Sequence, residues 1–255
     1  MMTPMATPKK IQRLECGPRQ PLQPFSLQRL VFASAFAALF ALAAAPLAAQ
    51  RTERPALNIT GYVIDAEIDS ATHHLAAKTV VAFTAPESLE MVSFGFHPAL
   101  KVTSITDDSG KVLTGERSAD GTIRVTPSAP FVTAQTYRWT FVYDGTITGN
   151  EDGPIEGLKL AAIQEPITYL LYPARWFPST GYLTDRFTAE IHFRVPQGMR
   201  VFGSGSTGKP KSVTLANGKP GDQYDFKWTK PGFPGTIIAG RYVEPATAGP
   251  GNVKV

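Results

Sequence analysis

Between Tyr62 and Ala239, apolar and polar residues alternate in short runs, the period of strands half-buried against a core. Tyr62–Ile68 opens the series, and Lys78–Phe83, Met91–Phe96 and Lys101–Ile105 follow. Asp107–Gly110 reads as a turn into a short strand at Lys111–Leu113, and Ala119-Asp120-Gly121 opens another at Thr122–Val125. Asp-Gly and Asn-Gly pairs favour hairpins because glycine accepts the positive φ of primed turns. Thr136–Tyr143 is the clearest run, alternating and aromatic, with a stop predicted at Asp144-Gly145. Ile167–Tyr172, Phe187–Val195, Met199–Phe202, Ser212–Leu215, Tyr224–Trp228 and Thr236–Ala239 complete the set, with Asn217-Gly218 as a turn. No window after Gln50 sustains a 3.6-residue apolar period. The pattern predicts an all-β, sandwich-like domain of two or more mixed or antiparallel sheets.

The first fifty residues follow another plan. Lys9, Lys10, Arg13, Arg19 and Arg29 stand against one acid, Glu15, and the uncharged run Leu30–Ala49 ends in small residues around Pro46. Basic residues, an apolar run and a small-residue exit make a secretory signal, with cleavage expected after Ala48 or Ala49. The run also has the length of an uncleaved anchor helix. Export to the periplasm, cell envelope or exterior is expected either way, with membrane contact only if the segment is retained. The expected organisation is a signal segment at 1–49, a β domain at 50–243 and a Gly/Pro-rich linker at 244–255.

Charge changes the picture only after this division. The whole chain carries 25 Lys and Arg against 21 acids, but five of those bases and one acid precede Gln50. The remainder holds 20 of each sign, so it lacks the basic footprint of a nucleic-acid binder. The single cysteine, Cys16, lies in the signal segment, so the β domain must be stable from its core without disulfides.

Most motif-like stretches dissolve on inspection. Gly203–Gly208 matches G-x-G-x-x-G, but Lys209-Pro210-Lys211 and a strand follow where a dinucleotide site needs a helix N-terminus. His73, His74, His97 and His192 lack metal-ligand spacing, and adjacent strand residues such as His73 and His74 point to opposite faces. His192 alternates with Ile191 and Phe193, which places it on a polar strand face. Asn150–Gly153 lacks the oxygen-ligand series of a calcium loop, and there is no G-x-S-x-G elbow. Asn58-Ile-Thr60 fits a glycosylation acceptor. No catalytic residue, metal ligand or cofactor site is expected in this chain.

One segment differs from ordinary strand. Tyr172-Pro-Ala-Arg-Trp-Phe-Pro178 packs two prolines, an arginine and three aromatics into a stretch that cannot lie in a central sheet position. It reads either as an ordered crossover between sheets or as a binding surface. On the second reading the candidate binding residues are Tyr172, Arg175, Trp176, Phe177 and Tyr182.

Ala174-Arg-Trp-Phe-Pro178 resembles the A-R-x-x-F-P segment of the aminopeptidase N-like zinc metallopeptidases, the family that includes leukotriene hydrolase. Asp185–Ile191, Val195-Pro-Gln-Gly198, Val201–Gly205, Phe141–Gly145 and Tyr62–Ile68 resemble further family segments in the same order. Ser179-Thr-Gly-Tyr182 stands where that family has Cys and D-E-P, and Thr168–Tyr172 is apolar where it has a substrate-contacting Gln or Glu. The resemblance implies the N-terminal β saddle of an exported peptidase, non-catalytic itself, which caps the active-site cleft and assists peptide binding. It implies zinc only in a downstream catalytic domain, which would be the partner, in cis or as a split product, together with the parent enzyme's peptide substrate. The alternative is a stand-alone extracytoplasmic β-sandwich that binds protein or carbohydrate.

Overall fold

A computed structural model of the chain describes residues 57–86, 88–118, 121–149, 157–180 and 185–242. The apolar run at 30–49, the calcium-loop-like stretch 150–153, Tyr182 and the linker at 244–255 lie outside these residues. The described part is β throughout, apart from one 3-10 turn.

Four long strands form the middle of the largest sheet: β1 (Asn58–Asp69), β2 (His74–Thr84), β7 (Thr136–Thr146) and β10 (Phe187–Pro196). Each alternates buried and partly exposed residues along its length, as the sequence pattern requires. The sheet is extended by β14 (Pro220–Gly232) beyond β10 and by β4 (Leu100–Thr106) beyond β7. Two short strands, β12 (Ser206–Thr207) and β13 (Lys211–Thr214), pair with β14. All these pairings are antiparallel except β1 with β10, so the sheet is mixed.

Two smaller antiparallel sheets complete the fold. The three-stranded one has the order β3 (Val92–Gly95), β6 (Thr122–Thr126), β5 (Thr114–Arg117). The four-stranded one has the order β11 (Arg200–Gly203), β15 (Ile237–Gly240), β9 (Ile167–Leu170), β8 (Ala161–Ala162). Inward residues of all three sheets share one hydrophobic cluster. Aromatic edges lock it: Phe94 of β3 meets Phe141 of β7 at 5.0 Å, and Phe83 meets Trp139 at 5.1 Å. Edge-to-face pairs of this kind add to the stabilisation from apolar burial. The polar pair within the cluster, Thr79 and Tyr143, is satisfied by a 2.8 Å hydroxyl–hydroxyl bond.

The turn at Asn217-Gly218 forms where the sequence marks it. Gly218 has φ of +78°, and Asn217 accepts a bond from the Lys219 N–H, so Asn-Gly makes the hairpin between β13 and β14. Two expectations need correction. Lys111–Leu113 forms no strand; Val112 makes an isolated bridge to Thr106, and the strand falls at β5, where all four residues are exposed. The cause is Asp107, whose Oδ1 accepts the backbone N–H groups of Ser109 and Lys111 and holds that stretch as a turn. Nor does β7 stop at Asp144-Gly145: it runs to Thr146, with Gly145 paired to both Leu75 and Leu100.

The Asp107 turn has a measurable acid signature. Hydrogen bonds from Ser128 and then Ser109 hold its carboxyl down at about 2, against about 3.9 in an unfolded chain. A lowered folded-state pKa stabilises fully above the unfolded value and loses that contribution as pH falls through the folded one. Asp107→Asn is therefore expected to be less stable than the parent at neutral pH. The gap should close between about pH 4 and pH 2, as read by urea titrations across that window.

Candidate functional site

After β9 the chain turns sharply. Tyr172 is extended (φ −141°, ψ 133°), and Pro173 starts a 3-10 turn over Pro173–Arg175. Proline suits that first position because its missing N–H has no partner there and its φ is preset. The N–H groups of Trp176 and Phe177 both reach the Pro173 carbonyl at 2.9 Å.

From this turn the segment is tied to every sheet. Trp176 donates its indole N–H to the Gly235 carbonyl at 2.8 Å, just before β15 of the four-stranded sheet. Its ring stands edge-on to Phe193 of the large sheet at 6.0 Å and to Phe177 at 4.8 Å. Phe177 packs on Tyr62 of β1 at 4.9 Å, and the Tyr62 hydroxyl donates to the Pro178 carbonyl at 3.0 Å. Ser179 and Gly95 of β3 exchange backbone bonds of 2.7 and 3.2 Å, which joins the three-stranded sheet. Thr180 then donates to the Asp185 carboxylate at 2.9 Å, ahead of β10. Burial, with the nearby Asp185 carboxylate as a second cause, pushes the Tyr62 hydroxyl well above its ordinary pKa, so it stays a proton donor at any physiological pH.

The candidate residues divide accordingly. Trp176 and Phe177 are buried to 0 and 1 % exposure, and Tyr172 is buried as well, so their rings form core instead of an open stacking platform. Arg175 is half-buried at the end of the 3-10 turn. The segment therefore acts as a clamp between sheets. Tyr182 lies outside the described residues.

The outer faces of the large and the four-stranded sheets differ in chemistry. That of the large sheet is charged. Asp225 accepts from His192 at 2.8 Å, Lys211 at 2.6 Å and Gln223 at 2.7 Å, and Arg194 lies 3.5 Å from Glu67. Burial alone would raise the Asp225 pKa, but Lys211, His192 and Gln223 outweigh it and hold the carboxyl well below its usual range. A shallow groove of about 380 Å³ lies on this face, lined among others by Gly61, Val63, Val80, Arg138, Glu190 and Trp228. Among the described residues no three His, Cys, Asp or Glu side chains converge as metal ligands.

The outer face of the four-stranded sheet is mainly apolar, with Arg200 at its β11 edge. Phe202, Ile238 and Tyr169 stand side by side in register across β11, β15 and β9, while the preceding row, Val201, Ala239 and Thr168, is buried. Reasoning from alternation missed this face. Its signal is the run of consecutive apolar residues in Val201-Phe202, Ile237-Ile238 and Leu170-Leu171, which gives a strand two apolar faces.

Among solved structures, the fold is similar to the M1 zinc metallopeptidase of Deinococcus radiodurans, with a TM-score of 0.60 and 18% identity over 72% of this chain and 42% of that one. A mutant of that enzyme bound to a Tyr-Ser-Ala substrate gives the same values. The fold is one found in M1 zinc metallopeptidases. A two-domain M1 zinc metallopeptidase mutant bound to L-tryptophan matches with a TM-score of 0.61, at 18% identity, over 72% of this chain and 43% of that one. The chain thus spans less than half the length of these M1 structures. No family model and no curated protein matches its sequence.

Proposed function

We propose that this chain forms the exported N-terminal β domain of an aminopeptidase-like zinc metallopeptidase, where it covers the active-site cleft of a catalytic domain and helps to hold the peptide. The observation that carries this is the three-sheet fold, matched over 72% of the chain to 42% of an M1 zinc metallopeptidase. That proportion leaves room in the related polypeptide for a second domain, and one of the matched structures is a two-domain M1 zinc metallopeptidase. The order of the family-like segments from Tyr62 to Gly205 supports the same reading.

In this role the chain supplies shape. Its clamp at Pro173–Ser179 fixes three sheets relative to one another, and a rigid wall over a cleft excludes water and orients a substrate. Zinc, its ligands and the general base would come from the catalytic domain.

Purified residues 50–255 are expected to release no arylamine from aminoacyl arylamides, with or without added zinc. Chelator-sensitive hydrolysis by this segment alone would overturn the assignment.

A further inference from the structure

The outer face of the four-stranded sheet is built unlike the charged face of the large sheet. Phe202 is 57 % exposed, Ile167 43 % and Leu171 37 %, and all three lie on the face that also carries Ile238 and Tyr169. Tyr242 extends the patch. Its ring lies over Gly240, 3.2 Å from where a Cβ would sit, and 5.4 Å from the Phe202 ring. Six apolar and aromatic side chains thus form one continuous strip. A contiguous strip of this kind marks an interaction surface, whereas scattered exposed apolar residues do not. Its content of two tyrosines and a phenylalanine is that of an interface core.

The chain itself indicates the occupant. Tyr242 is the last described residue and part of the strip, so the polypeptide that follows is tethered at the strip's edge. In the two-domain M1 structure the matched region covers 43% of the chain, so a larger part of that polypeptide is left to face this fold. The large sheet's outer face, with Asp225, His192 and Arg194 already paired on it, suits water. We infer that the Phe202–Ile238–Tyr169 strip is the docking seat of the zinc-peptidase domain, and this inference rests on the function proposed above.

The test is photocrosslinking in the cells that make the protein, using p-benzoylphenylalanine in place of Phe202 in one full-length variant and of Glu190, on the large sheet's face, in another. Crosslinked peptides are identified by mass spectrometry, whether they lie in the same polypeptide or in a second one. The expected result is a crosslink from position 202 to a polypeptide segment of a zinc peptidase carrying H-E-x-x-H, and none from 190. The same crosslink from 190 and not from 202 would overturn the docking seat while leaving the proposed function standing. No H-E-x-x-H partner at either position, or only a second copy of this chain, would overturn both. As an independent check, Phe202→Asp should weaken the association at least about tenfold, the size expected for an aromatic anchor. Circular dichroism should be unchanged, because the side chain is exposed.

Discussion

Replacing Trp176 by alanine is expected to cost about 4 kcal/mol of folding stability, the range for emptying a fully buried tryptophan site. The loss has two parts. The indole ring fills space between Phe177 and Phe193, at 4.8 and 6.0 Å, and the surrounding sheets cannot close on the gap without moving the 3-10 turn. Its N–H also satisfies the Gly235 carbonyl, which the variant leaves buried and unpaired. Trp176→Phe separates these contributions, since it keeps much of the ring and loses only the bond, for about 1–2 kcal/mol. Urea unfolding of residues 50–255 measures both. A Trp176→Ala loss below about 1 kcal/mol would mean that the segment is a surface loop and not a clamp.

The second large effect is expected at Gly145. A Cβ built there runs into the Ala99 carbonyl oxygen and comes within 3.0 Å of the Leu100 Cα, both backbone atoms of the neighbouring chain. Neither can swing aside as a side-chain tip would, so β4 must shift away from β7. Gly145→Ala should therefore cost about 2–3 kcal/mol, the scale of overpacking in a closed interior. Gly218→Asn is the control. It sits at an open turn with φ of +78°, a conformation asparagine tolerates, and its effect should stay within about 0.5 kcal/mol. Equal losses at the two positions would contradict the packing described for β7.

The long strands were legible because their alternation reports burial directly: β1, β2, β7 and β10 each bury one side against the core. The short strands were harder. Ala161–Ala162 and Thr114–Arg117 carry no alternation of their own and pair only because β9 and β6 present free edges. At Gly145 a turn-forming dipeptide was overridden by tertiary contact, since a bare Cα is what lets Ala99 approach. The Tyr172–Pro178 segment was recognisable as non-strand from its prolines. Its role as a clamp depends on partners distant in sequence, Gly95, Tyr62 and Gly235, which local reading does not reveal. The apolar strip was missed for the opposite reason. A strand with two apolar faces looks like one buried on both sides, and only the exposure of Phe202, Ile167 and Leu171 in the folded chain shows that the second face is uncovered.

The native form of the protein tests the central claim most directly. An antibody against the β domain, applied to envelope and secreted fractions, reads the size of the species that carries it, and mass spectrometry reads its sequence. The account predicts this domain in a species well above the 27.5 kDa of the chain, joined to or bound with a polypeptide that carries H-E-x-x-H. A native species of the chain's own size or smaller, free of any such polypeptide, would contradict it.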